Sequence, residues 1–301
     1  MLNSNVLDCF GNEMKKLLSA YDWRDINEIR VRRDRPLILK SGGYEYFPDS
    51  GGIPSKDIKS AYRPTERDIC EMMNMISDYS LYAVQEQLRH GFITVTGGHR
   101  AAVAGTVVSE KGNIMTIKNI SSIALRIANE MIGCSKGVME FVCDTKPQNV
   151  LIVSPVCGGK TTMLRDILRN LSNRGFTVGI ADERGEIAAC HMGIPQLDVG
   201  ERTDVLDSCP KALGMSMLIR TMSPDIVSAD EIGTEEDIKA IRLAALSGSA
   251  VICTAHGSDL NDVKGKLGDC LNIFNRLMFL EGRSSPGKVK AILDGRGELL
   301  C

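Results

Sequence analysis

The sequence predicts an α/β fold over residues 136–301, a mostly parallel sheet between helices, preceded by a smaller α+β domain over residues 1–135. Two observations point to the larger part. Apolar, β-branched runs near residues 150–154, 177–182, 225–230 and 250–255 alternate with helical patterns, and such alternation builds parallel sheets covered on both faces. The first of these runs leads through a glycine-bearing loop into a helix. A third observation sets the first half apart, because it strings short strands on hairpin turns.

The smaller domain begins with a short helix-like segment. Glu28-Ile29-Arg30-Val31-Arg32 then alternates as a strand, and Leu37-Ile38-Leu39 follows Pro36 as a second. Ser41-Gly42-Gly43 predicts a hairpin turn into Tyr44-Glu45-Tyr46-Phe47. Thr65 or a neighbour is placed to cap a helix whose first turn carries Glu66 and Asp68, and Ile69, Met72, Met73 and Ile76 form its apolar face. The methionines are read as core filling. Phe92–Val95, a Gly97-Gly98 turn and 101–108 predict another hairpin, with two more strands at 114–117 and 122–127.

In the larger domain Val150–Val153 predicts a buried strand, and Met163, Leu164, Ile167, Leu168 and Leu171 recur at helical spacing. Between them stands Ser154-Pro155-Val156-Cys157-Gly158-Gly159-Lys160-Thr161-Thr162. Strand, loop and helix are the context that a phosphate-binding P-loop requires. Its backbone N–H groups and the positive helix end suit a triphosphate. Lys160 would reach the β and γ phosphates, and the Thr161 hydroxyl would ligate Mg²⁺. Ser154 stands where the pattern has its first glycine, which usually lets the chain leave the strand in a conformation closed to residues with a Cβ. Serine is small and Pro155 stiffens the next step, so the loop is still expected to form.

Three more strands end in polar residues: Asp182-Glu183-Arg184, Asp230-Glu231, and Thr254-Ala255-His256. Ligands of open α/β sheets sit at the carboxyl ends of strands, so these tips are expected to converge on the phosphates. Asp230 would hold Mg²⁺ through a water and Glu231 would orient and activate the attacking water, with Glu183 the alternative acid. His256 would sense the γ-phosphate. A stretch at 282–287 is expected to be a loop before a final short strand or two.

Composition limits the partners. With 301 residues and 43% hydrophobic content the chain can supply two cores. A net charge of −2 provides no general excess for nucleic acid or anionic lipid. Arg30, Arg32, Arg33 and Arg35 form a basic run, but Asp34 interrupts it and Glu28 flanks it. A solvated face is favoured over a nucleic-acid site. No apolar run approaches a membrane span, and the N-terminus lacks the regions of a signal peptide. Ten scattered cysteines without a C-x-x-C pair suggest a reducing, cytoplasmic setting. Cys190-His191 with Cys209 matches no common zinc spacing.

The four segments, in this order, resemble the Walker A, Asp box, Walker B and His box of type II and type IV secretion ATPases and pilus motors. The 218–225 and 245–248 stretches are similar too. A closer resemblance is to the stage III sporulation AA family of endospore-forming bacteria, carried by Glu28–Arg32 with Arg35-Pro36-Leu37, by Arg89-His90-Gly91-Phe92-Ile93-Thr94 with Gly97-Gly98-His99-Arg100, and by Arg202–Asp207 with Cys209-Pro210-Lys211. Gly185 departs from the serine common in that family. The resemblance implies a RecA-like P-loop ATPase domain using ATP and Mg²⁺. It further implies a ring, a hexamer by analogy, docked peripherally on a membrane complex joining mother cell to forespore. Arg126 in Leu125-Arg126-Ile127 resembles an arginine that completes the nucleotide site of such motors; pairing with a carboxylate on its own surface is the other reading. Two alternatives to an ATPase motor stay open: a nucleotide-dependent nucleic-acid-binding protein, and a nucleotide-gated scaffold with little hydrolysis.

Overall fold

The computed structural model describes residues 5–22, 26–89, 91–110, 112–128 and 130–301. His90 of the Arg89-His90-Gly91 stretch and residues 1–4 lie outside these. Two compact units emerge, Met1–Asn129 and Glu130–Cys301, so the 130–135 segment belongs to the second.

The first unit opens with a short 3-10 turn, Asn5–Cys9, and helix α1 (Asn12–Leu18). Its sheet comprises β1 (Ile26–Arg32), β2 (Ile38–Ser41), β3 (Tyr44–Pro48), β4 (Pro54–Ser55), β5 (Phe92–Thr94), β6 (Arg100–Glu110) and β7 (Asn113–Arg126). The order across the sheet is β4-β3-β2-β1-β7-β6-β5, antiparallel throughout. Where two strands are expected at 114–117 and 122–127, one 14-residue strand runs through. Its partner β6 carries irregularities between Ala104 and Thr106 and between Val108 and Ser109, so a bulged ladder absorbs the break in the pattern.

Helix α2 (Glu66–Ile76) starts at Thr65 with a reciprocal capping box: the Thr65 hydroxyl accepts the Asp68 N–H, and the Asp68 carboxylate accepts the Thr65 N–H at 2.7 Å. Ile69, Met72, Met73 and Ile76 are buried in one core with Ile29, Leu37, Leu39 and Leu125. A short helix α3 (Gln85–Arg89) leads to β5. Beyond the turn after β5, His99 is wholly buried and its Nδ1 accepts the Ala128 N–H at 3.0 Å. Burial drives its pKa down to about 4, so the ring is neutral and ties the turn to the end of β7.

The second unit is built on β8 (Val150–Ser154), β9 (Val178–Asp182), β10 (Thr203–Asp207), β11 (Ile226–Ala229), β12 (Ala250–His256), β13 (Arg276–Leu280) and β14 (Val289–Asp294). Their order is β10-β9-β11-β12-β8-β13-β14, parallel except for β14. Side-chain alternation on β8 sorts two cores. Val150 and Ile152 pack with Met139 and Val142 of the short helix α4 (Met139–Val142) and with Met163, Leu164, Ile167, Leu168 and Leu171 of α5 (Lys160–Asn173). Leu151 and Val153 share the opposite core with residues of α6 (Lys211–Thr221), α7 (Glu235–Leu246) and α8 (Leu260–Leu267). Both faces are therefore covered, which explains the unbroken apolar runs.

Asp166 on α5 fastens the segment that enters this unit. Its carboxylate accepts N–H groups of Gly133 and Ser135 at 3.0 and 2.8 Å, and Arg169 pairs with it at 2.8 Å. Burial alone would raise this carboxyl; those hydrogen bonds outweigh it and hold the pKa at about 2.

Candidate nucleotide site

Ser154 ends β8 and Lys160 begins α5, so residues 155–159 form the loop between a buried strand and a helix N-terminus. The loop's left-handed positions are Cys157 (φ 62°) and Gly159 (φ 86°). Ser154 is not among them, so serine in the first-glycine place carries no backbone strain. The loop between strand and helix forms with serine in that place. The Ser154 hydroxyl donates to the Pro155 carbonyl at 2.8 Å. A Cβ at Gly158 would stand 2.7 Å from Ser154 Cβ, so Gly158 must be small because Ser154 is not.

Lys160 is buried, and its ammonium meets only the carbonyls of Ser154 and Pro155, at 3.4 and 3.5 Å. No carboxylate pairs with it among the described residues. A buried cation without a counter-ion is costly, so this is a place built for an anion. Beside it the Thr161 hydroxyl donates to Asp230 Oδ2 at 2.6 Å, joining the start of α5 to the end of β11. Hydroxyl, carboxylate and nearby phosphate oxygens are the hard donor set that Mg²⁺ prefers, so the residues present fit that ion.

Thr254, fully buried on β12, organises the acidic pair. Its hydroxyl donates to Asp230 Oδ1 and accepts the Glu231 N–H, the latter at 2.8 Å. Glu231 itself sits in the left-handed region at φ 53°. Its Oε2 pairs with Arg184 Nη1 at 3.1 Å. Glu183 lies at the end of the adjacent strand β9 and pairs with Lys211 at 3.4 Å. These groups line one cleft together with Asp182, Glu186 and Asp230.

Asp182 plays a different part. It is buried, and its carboxylate accepts the N–H groups of Glu186, Ile187 and Ala188 at 2.9, 3.1 and 2.8 Å. Burial nevertheless pushes its pKa up, and the charge of Asp230 adds to the rise. Arg165 reaches the same loop, donating to the carbonyls of Ile187 and Glu186 at 2.5 and 2.7 Å. The acidic tip of β9 thus divides: all three residues line the cleft, but Asp182 is taken up by its own loop, whereas Glu183 and Arg184 pair with Lys211 and Glu231.

His256 is exposed at the end of β12, beside Ser154 in register. No hydrogen bond links its imidazole to Asp230 or Glu231 among the described residues. In the first unit Arg126 is 71% exposed and pairs with Glu28 at 3.4 Å. Glu28 also holds Arg30, and Lys40 at 3.3 Å. Burial would raise the Glu28 carboxyl, but these cations hold it below its usual range. Of the basic run, Arg33 likewise pairs with Glu66 at 3.0 Å. Sequence reading placed Asp182, Arg184 and Thr254 at the strand tips and Lys211 in a family string without giving them these partners, and it passed over Arg165. Their signal is weak, because each acts through a partner remote in sequence.

A P-loop on a central parallel strand, with the acidic pair one strand beyond its neighbour β12, defines the P-loop ATPase fold of the secretion-motor type. Solved structures agree. The Legionella pneumophila ATPase DotB is similar with a TM-score of 0.54 at 15% identity, over 84% of this chain and 72% of that one. The pilus retraction motor PilT, solved with bound ADP, is similar with a TM-score of 0.57 at 16% identity, over 84% and 74%. At such identities the likeness shows the fold. The chain belongs to the family "Sporulation stage III, protein AA", whose model matches residues 3–300. Stage III sporulation protein AA of Bacillus subtilis (strain 168) is 35% identical over 99% of this chain and 97% of that protein.

Proposed function

We propose that the chain is a Mg²⁺-dependent ATPase that energises a transport complex at a membrane during sporulation. The observation that carries this reading is Lys160: a buried ammonium with no carboxylate partner among the described residues, at the N-terminus of α5, beside the Thr161–Asp230 pair. That arrangement suits a phosphate chain on the loop N–H groups and a Mg²⁺ ion held through Thr161 and Asp230. The ion would neutralise charge on the phosphate oxygens. Lys160 would bind the terminal phosphates. Glu231, held in place through Thr254, would orient a water and take its proton on a carboxylate oxygen. Arg184, paired with that carboxylate at 3.1 Å, would help to orient it.

Family membership supports the sporulation setting, and the likeness to secretion and pilus motors supports a ring of subunits docked on membrane proteins. No helix among the described residues is long and apolar enough to cross a membrane. Docking in this proposal is therefore peripheral and protein-mediated.

The test is ATP binding by calorimetry and phosphate release with and without Mg²⁺, on the parent and on Lys160→Ala. The parent is expected to bind ATP and to require Mg²⁺ for turnover, and the variant to lose binding. Equal ATP affinity in parent and variant would refute the placement of the phosphates.

A further inference from the structure

Beyond β13 the chain turns through residues 281–288 and returns as β14, and this hairpin lies on the P-loop. The Gly287 N–H donates to the Gly158 carbonyl at 2.9 Å. A Cβ at Gly158 would stand 2.7 Å from the Glu281 carbonyl oxygen. One at Gly159 would stand 2.6 Å from Gly287 N and 3.3 Å from the Pro286 carbonyl carbon. Both glycines of the loop are therefore required by the hairpin.

The neck of the hairpin is closed on itself. Glu281 N–H donates to the Lys288 carbonyl at 2.8 Å, and the two side chains pair at 2.8 Å. The Ser285 N–H donates to the Gly282 carbonyl at 3.1 Å. Glu281 and Lys288 are thus occupied with each other. Arg283 is exposed and has no ion-pair or hydrogen-bond partner among the described residues.

Strand order gives the hairpin its place in the site. β8 lies between β12 and β13. Asp230, Glu231 and Thr254 all come from the β12 side, where Thr161 meets Asp230. A nucleotide whose terminal phosphates face that pair carries its nucleoside away from it, toward β13. The geometry points to residues 281–288 as the wall against which the nucleoside rests, with the Arg283 guanidinium stacked on the base. A planar guanidinium stacks on aromatic faces as an ammonium cannot. This inference rests on the P-loop reading above and adds a base-recognising residue to it.

The experiment compares two probes on the full chain with Mg²⁺ present: ATP, and inorganic tripolyphosphate, which has the phosphates and no base. Arg283→Ala is expected to raise the Kd for ATP about 3- to 30-fold, the range of a cation stacked on an aromatic ring, and to leave tripolyphosphate unchanged. Arg283→Lys keeps the charge without the plane and is expected to restore only part of the ATP affinity. Lys160→Ala serves as the control that loses both probes. Three results would overturn the assignment: ATP affinity unchanged in Arg283→Ala, equal weakening of both probes, or full affinity in Arg283→Lys. A parent that binds neither probe would instead refute the P-loop reading itself, and the hairpin's role with it.

Discussion

Replacing Glu231 by Gln removes one proton acceptor while preserving the shape of the side chain. The Glu231 N–H remains on the Thr254 hydroxyl at 2.8 Å, so the left-handed backbone at φ 53° stays anchored. What is lost in the resting protein is the ion pair with Arg184, whose two side chains are 68% and 43% exposed. Solvent screens such a pair, and its loss costs no more than about 1 kcal/mol. In a unit of this size that moves the unfolding midpoint by about 2–4 °C. The kinetic effect is of another order. Loss of a positioned base costs about 10²–10⁴ in rate, equivalent to about 2.7–5.4 kcal/mol of barrier. Steady-state phosphate release with saturating Mg²⁺ and ATP, alongside calorimetric ATP binding, separates the two. Turnover is expected to fall by that factor with binding intact. Parental turnover would refute the assignment and direct attention to Glu183, at the end of the adjacent strand. Loss of turnover together with a large fall in melting temperature would mean that Glu231 is structural.

Gly158→Ala is expected to weaken ATP binding, because its Cβ meets both Ser154 Cβ and the Glu281 carbonyl at 2.7 Å. Ser154→Gly in the same chain is expected to restore part of the affinity, since the Glu281 contact remains; a double variant no better than Gly158→Ala would show that Ser154 does not fill that space. Asp166→Asn is expected to lower the urea midpoint at neutral pH and to shrink the gap from the parent in acid. The carboxyl is held at about 2 against an ordinary 3.8, so its contribution is full above 3.8 and is lost as pH falls from there through about 2. A gap that does not change with pH would mean that the charge of Asp166 contributes nothing.

The parallel sheet was legible because both faces of its central strands are buried. Val150–Val153 and Val251–Cys253 leave no polar residue to confuse the pattern. The edge strand β10 was not legible as a strand: Thr203–Asp207 carries Asp204 and Asp207 and is only partly buried, so solvation masks the alternation. In the first unit the hairpin turns and the Thr65 cap could be read because their chemistry is local. The break expected near residues 118–121 does not exist, because bulges in β6 let one long strand pass.

The candidate site was legible only where chemistry lies within a short string. Residues 154–162 announce a P-loop, and Asp230-Glu231 announces an acidic strand end. The rest is made by pairs remote in sequence: Thr161 with Asp230 across 69 residues, Arg184 with Glu231 across 47, Thr254 with Glu231 across 23. Strand order alone brings them together, and no spacing encodes it. The same reasoning explains why equivalent-looking acids have different tasks. Asp182 and Asp230 both end apolar strands, yet three backbone N–H groups of its own loop take Asp182, whereas two hydroxyls and the single N–H of Glu231 take Asp230. A carboxylate satisfied by its own backbone holds a loop. One satisfied by hydroxyls at the mouth of the P-loop can exchange a hydroxyl proton's hydrogen bond for a cation, and that difference, rather than the acidic pair itself, is what favours Asp230 as the residue that would hold Mg²⁺.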